Sequence, residues 1–159
     1  MVKIAYVALL GRSEWALVNT YYAVVRGGKK PEKVIVVAGD RYIKKLSKVV
    51  DALKEISRAY SFNPDVSRLV IKYDDLQDAE DRLRKLFESL DSNGYRIELD
   101  ITSGRKAMVA LAILKMARHK NGEIHYLALL DRDFPNRPYM MIPTHMQRLN
   151  ILGWDRDVS

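Results

Sequence analysis

"YRIELDITSGRKAMVALAILKMA", residues 95–117, reads as a strand, a polar turn and the start of a helix. The strand is 95–101 and the helix 105–120, with Thr102, Ser103 and Gly104 between them. The two hydroxyls are candidate caps, and the glycine lets a bound group approach the backbone. Arg105 and Lys106 then open the helix. Helix starts favour acids, and an exposed cation in the first turn is unfavourable by about 0.3–1 kcal/mol. Two adjacent cations break that local rule, and such breaks concentrate at functional sites.

The same alternation extends in both directions. Upstream, 3–10 is a buried strand and 14–26 a helix closed by Gly27-Gly28. Residues 33–38 form a second strand and 40–60 a helix with Ile43, Leu46, Val49, Val50, Leu53 and Ile56 at helical spacing. A third strand is expected at 68–73, followed by an amphipathic helix that Asp75 caps and Gly94 ends. The helix from 105 is apolar on nearly all sides, which predicts deep packing. Downstream, 123–130 is a fifth strand, and "YMMIP" (139–143) is expected as a sixth, paired with it as a hairpin. Strands alternating with helices imply a parallel sheet covered on both faces, and near-continuous apolar strands agree. The expected fold is therefore α/β, a Rossmann-like mainly parallel sheet with helices on both faces and a C-terminal β-hairpin. It occupies 1–159 as a single domain.

In such a sheet ligands bind beyond the carboxyl ends of the strands, where the strand order reverses. With the order 3-2-1-4-5, that point lies between the first and fourth strands. Two loops meet there, "LLGRSEW" and "DITSGRKAM". In the second, free amides at the helix start suit phosphate, Arg105 offers a planar fork of donors and Lys106 a mobile point charge. In the first, Ser13 can cap the helix or face the second loop with Gly11 and Arg12. Asn19 lies on the same helix, and Trp15 suits a core or interface as well as a stacked base.

Composition narrows the partners. The 159 residues are 48% hydrophobic and 30% charged, as in a globular protein, and the net charge of +7 favours an anionic partner. There is no cysteine, so no disulfide or thiolate metal site. The apolar start is too short for a spanning helix and lacks a cleavage site, so a cytoplasmic location is expected. No G-x-G-x-x-G follows the first strand and no Walker sequence is present, which argues against a dinucleotide oxidoreductase or an NTPase. Asp131 and Asp133 are weaker metal candidates, and His119, His125 and His145 show no ligand spacing. His125 is expected to be packed or hydrogen-bonded within its strand. No metal or other cofactor is expected.

Taken together, "KIAYVALLGRSEWALVNTYYAV" (3–24) and 95–117 resemble the CRISPR-associated Rossmann fold (CARF) family. The most specific pieces are "DITSGRKAM" after a strand and "WALVN" in the first helix. The resemblance implies a homodimer that binds cyclic oligoadenylate, often cyclic tetra-adenylate, across its two-fold axis. Thr102, Ser103, Gly104, Arg105 and Lys106 would then grip phosphate and ribose, with Ser13 and its neighbours on the opposite wall. Larger family members carry a nuclease or DNA-binding domain after this fold, and too few residues follow here. Stand-alone members resemble ring nucleases, which cleave the messenger and end the antiviral signal. The expected activity is metal-independent cleavage by Lys106, Arg105 and Ser13. The alternatives are a sensor that binds without cleaving and a basic domain that binds RNA or DNA. No membrane and no stable DNA partner is expected.

Overall fold

The computed structural model describes residues 2–130 and 136–153. Its strands are β1 (Lys3–Leu10), β2 (Lys33–Gly39), β3 (Asp65–Ile71), β4 (Tyr95–Asp100), β5 (Gly122–Leu129) and β6 (Gln147–Gly153). The helices α1 (Glu14–Arg26), α2 (Ile43–Ala59), α3 (Leu76–Ser92) and α4 (Lys106–Met116) follow the first four strands in turn. One sheet runs β3-β2-β1-β4-β5-β6. Strands β1 to β5 are parallel, and β6 is antiparallel to β5. The doubly wound sheet, its order and its C-terminal hairpin are those expected from the sequence.

Alternation along the central strands builds two cores. Ala5, Val7, Leu9, Ile35, Val37, Ile97 and Leu99 point to α3 and α4. Tyr6, Ala8, Leu10, Val34, Val36 and Ala38 point to α1 and α2. Each fully buried aliphatic or aromatic side chain contributes about 1.5–3 kcal/mol, so the sheet centre dominates the stability. Ser13 and Asp75 cap α1 and α3, accepting the amides of Ala16 at 3.2 Å and Asp78 at 3.0 Å. Helix α4 starts after Arg105 with no side-chain cap.

Three expectations change. The sixth strand is Gln147–Gly153, and Tyr139–Met141 is a 3-10 turn. Pro138 and Pro143 bracket that turn, and proline lacks the amide that a ladder needs. The Gln147 amide ties it down, donating to the carbonyls of Tyr139 at 3.1 Å and Ile142 at 3.3 Å. Strand β3 spans Asp65–Ile71, beginning and ending earlier than 68–73. The chain leaves the sheet because carboxylates take its next amides: Lys72 N–H donates to Asp78 at 2.9 Å and Tyr73 N–H to Asp40 at 3.0 Å. Helix α4 is not deeply packed. Ala112, Lys115 and Met116 are buried, while Leu114 is 64% exposed. The sheet and α3 cover one side, and among the described residues nothing covers the opposite apolar side.

Candidate functional site

The loops after β1 and β4 meet at the order reversal and are stitched together. Gly11 N–H donates to Ser103 Oγ at 3.0 Å, and Ser103 Oγ–H donates to the Ser13 carbonyl at 2.6 Å. A Cβ on Gly11 would lie 2.0 Å from the Ser103 carbonyl oxygen, so only glycine fits that approach. Gly104 is tight but less so, its Cβ position being 2.8 Å from the Val109 side chain and 3.0 Å from that of Leu9. The Thr102 hydroxyl accepts Leu127 N–H at 3.0 Å. It also meets Thr20 Oγ1 at 2.9 Å, and Thr20 lies 2.7 Å from the Ala16 carbonyl. Asn19 is buried, donating to the Arg137 carbonyl and accepting Tyr139 N–H, both at 2.8 Å. The side chains of Ser103, Thr102 and Asn19 therefore build the loops and pin 137–139 across α1.

The cations are placed differently. Arg12, Arg105 and Lys106 are exposed and line a cleft of about 590 Å3 with the rings of Tyr42 and Tyr73. Among the described residues none of the three forms an ion pair. The uncapped amides of α4 open beside them. Positive side chains, free amides and the positive end of a helix converge there, which suits an anion. Lys45 holds the first loop, its Nζ donating to the Arg12 carbonyl at 2.7 Å.

A second cleft of about 290 Å3 lies on the β5 side, lined by Ser13, Ala16, Asn19, Thr102, Tyr126 and leucines of β5. Ser13 Oγ accepts the Ala16 amide and keeps its own proton to donate. Trp15 lies apart from both clefts, in a groove with Val18, Lys48 and Ala52 between α1 and α2. Asp131 and Asp133 fall outside the described residues.

Under the loops lies a buried polar cluster. Glu98, Asp100, His125 and Tyr6 are fully buried between the sheet and α1. Glu98 bonds His125 Nε2 at 2.6 Å and the Lys29 ammonium at 2.7 Å. Lys29 also meets Glu123 at 2.5 Å, and Arg96 meets Glu123 at 3.2 Å. His125 is thus hydrogen-bonded within its strand, as expected. Glu98, Glu123 and His125 bring donor atoms within 4.8 Å, a spacing a metal can use, and the Lys29 ammonium bridges the two carboxylates. Burial pushes the Glu123 carboxyl up, but Lys29, Arg96 and His125 together hold it below the usual range. Burial pushes Asp100 up to about 6, although the Thr102 amide, 2.9 Å from its Oδ1, works against the rise. The Tyr6 phenol is raised well above its usual range by burial and then by Asp100. The signal was in "YRIELD": a strand buried on both faces should not alternate apolar with charged residues, and this one does.

No protein-family model and no curated protein matches the chain. Several solved structures share its fold. Can2 from Sulfobacillus thermosulfidooxidans, in complex with cyclic tetra-adenylate, aligns with a TM-score of 0.58 at 17% identity, over 81% of this chain and 32% of that one. Csm6 from Enterococcus italicus, bound to cyclic hexa-2'-fluoro-hexa-dAMP, gives 0.59 at 12% identity, over 81% and 34%. A type III CRISPR defence DNA nuclease activated by cyclic oligoadenylate gives 0.56 at 19% identity, over 82% and 19%. The chain spans about a third of the length of the first two proteins and about a fifth of the third. The chain shares the fold of these three proteins, which is the fold its two switch-point loops led one to expect.

Proposed function

We propose that this chain binds cyclic oligoadenylate across the cationic cleft and the adjoining β5-side cleft, as half of a homodimer, and cleaves the ring without a metal. The observation that carries this reading is the group of cations Arg12, Arg105 and Lys106, without an acidic partner among the described residues, beside the uncapped α4 start at the switch point. The bound rings of Can2 and the Csm6 structure support the ligand class. The open apolar side of α4 and the exposed Tyr126, Leu129 and Leu130 near the β5-side cleft support a second copy as cover. Among the described residues no helix is long and apolar enough to cross a membrane.

In the proposed reaction a ribose 2'-oxygen attacks the adjacent phosphorus in line. A 2'-O–P bond forms, the P–O5' bond breaks, and the ring opens to a 2',3'-cyclic phosphate and a 5'-hydroxyl. The proton of the 2'-hydroxyl goes to water, and the leaving oxygen takes one from water. Lys106 stabilises charge on the phosphorane, Arg105 holds a non-bridging oxygen, and Ser13 donates its free proton to phosphate or ribose. Positioning and fixed positive charge supply the acceleration. Among the described residues neither cleft is lined by a carboxylate or imidazole, so slow turnover is expected. That same lining favours the second reading, a sensor that holds the ring intact.

Incubation with cyclic tetra-adenylate and excess EDTA, followed by chromatography, separates the readings. Linear products ending in 2',3'-cyclic phosphate are expected. Tight binding of an uncut ring selects the sensor, and failure to bind any cyclic oligoadenylate rejects both.

A further inference from the structure

We propose that Tyr73, on the loop after β3, is a positioning residue that holds Arg105 over the cationic cleft; this rests on reading the cleft as the oligoadenylate site. The Arg105 guanidinium lies 3.6 Å from the centroid of the Tyr73 ring. Its Nη1 donates to the Tyr73 carbonyl at 3.2 Å. One residue thus holds the fork by its ring and its backbone, and most of the fork's donors remain available to phosphate.

Tyr73 is itself held. Its amide donates to Asp40 Oδ1 at 3.0 Å, and Tyr42 meets its ring edge-on at 5.8 Å. Gly39 leaves room for it, since a Cβ there would lie 3.0 Å from Tyr73 Cδ2. The Arg41 guanidinium shares the ring at 3.9 Å. Two guanidinium groups against one ring repel each other, and among the described residues Arg105 has no carboxylate partner to offset that. A bound polyanion supplies the missing charge. An exposed arginine at a helix start would otherwise sample many rotamers, and immobilising it on binding costs affinity. Stacking removes that cost in advance.

The test measures cyclic tetra-adenylate binding against salt concentration in wild type, Arg105→Gln, Tyr73→Leu, Tyr73→Phe and the double variant Tyr73→Leu/Arg105→Gln. Each phosphate contact contributes about 0.7 to the slope of log affinity on log salt. Arg105→Gln is expected to lower the slope by about that amount, and Tyr73→Leu to lower it alike. The double variant should lose no more than either single one. Tyr73→Phe keeps the ring and the wild-type slope. Affinity at low salt should fall about three- to tenfold in Tyr73→Leu, the range of a partly desolvated cation–π contact. A wild-type slope in Tyr73→Leu, additive losses in the double variant, or a lowered slope in Tyr73→Phe overturns the proposal.

A ligand-free measurement keeps it decidable if no cyclic oligoadenylate binds. Ring-current shifts should move the Arg105 side-chain protons upfield in wild type and Tyr73→Phe, and vanish in Tyr73→Leu. Unshifted Arg105 protons in wild type overturn the proposal whatever the ligand.

Discussion

Two groups of cations flank the β1–β4 seam, and they have opposite surroundings. Lys29 and Arg96, beside the buried cluster under the loops, sit between the carboxylates of Glu98 and Glu123. Arg12, Arg105 and Lys106, at the carboxyl end, have no acidic partner among the described residues. The first group neutralises charge that folding has already buried. The second carries charge that folding leaves uncompensated, and the α4 dipole adds to it. Cations that answer an internal need mark structure, and cations left over at a helix start are the basis of the proposed ligand site.

Removing a cation from each group puts that distinction at risk. The largest effect is expected for Lys106→Ala, which should lower the rate of ring opening about 10²- to 10³-fold, as the loss of one fixed charge-stabilising group does. Chromatography of the cleavage products reads it, and a wild-type rate removes Lys106 from the reaction. Next is Lys29→Met, which strips one of the cationic partners from buried Glu98, leaving His125 and Arg96, and should cost about 2 kcal/mol in denaturant unfolding. A loss below about 1 kcal/mol would mean that the carboxylates find other partners, and the contrast between the groups would weaken.

The third expectation concerns pH. Asp100 is raised to about 6 by burial, so between about pH 4 and 6 the folded chain holds a proton that the unfolded chain releases. Its contribution is therefore fully present below that window and is lost as pH rises through it. Glu123 acts in the opposite sense: its lowered carboxyl contributes stability that disappears on acidification. Asp100→Asn isolates the first effect. An amide can still accept the Thr102 N–H and carries no charge to be desolvated. The variant should lose that fall with pH and gain on the order of 2 kcal/mol at pH 7. Unfolding curves from pH 4 to 7 check it, and an unchanged slope would place the titration elsewhere. The smallest effect is again at Lys106. Its removal should leave stability unchanged or raise it by about 0.5 kcal/mol, because a cation at a helix start is unfavourable. A large loss of stability in Lys106→Ala would make it a structural residue like Lys29.

Much of the site was legible before folding, at the level of loops. "GRSEW" and "DITSGRKAM" are the segments that meet, and the misplaced charges at 105 and 106 are the exposed ones. The division of labour within them was not legible. Ser103 and Thr102 look like phosphate ligands in sequence, yet their hydroxyls bond Gly11, Ser13, Thr20 and Leu127. Tyr73 and Arg41 carry no motif, and they reach Arg105 because β3 and β2 end beside the same cleft. The sixth strand was misplaced because alternation in 147–153 is weak, and its pairing with β5 comes from the sheet edge rather than from local pattern.

The amino-acid sequence by itself determined the alternation of strands and helices, the doubly covered sheet, the two loops at its reversal point and the uncompensated charge in one of them. These follow from periodicity and helix-end chemistry, which act over a few residues. Tertiary structure alone decided which side chains of those loops are consumed in building them and which remain free. The bond from Gly11 to Ser103 joins residues 92 apart, and that from Arg105 to Tyr73 joins residues 32 apart. A donor's partner at such range is set by which strands the sheet places side by side, a choice that no local pattern encodes.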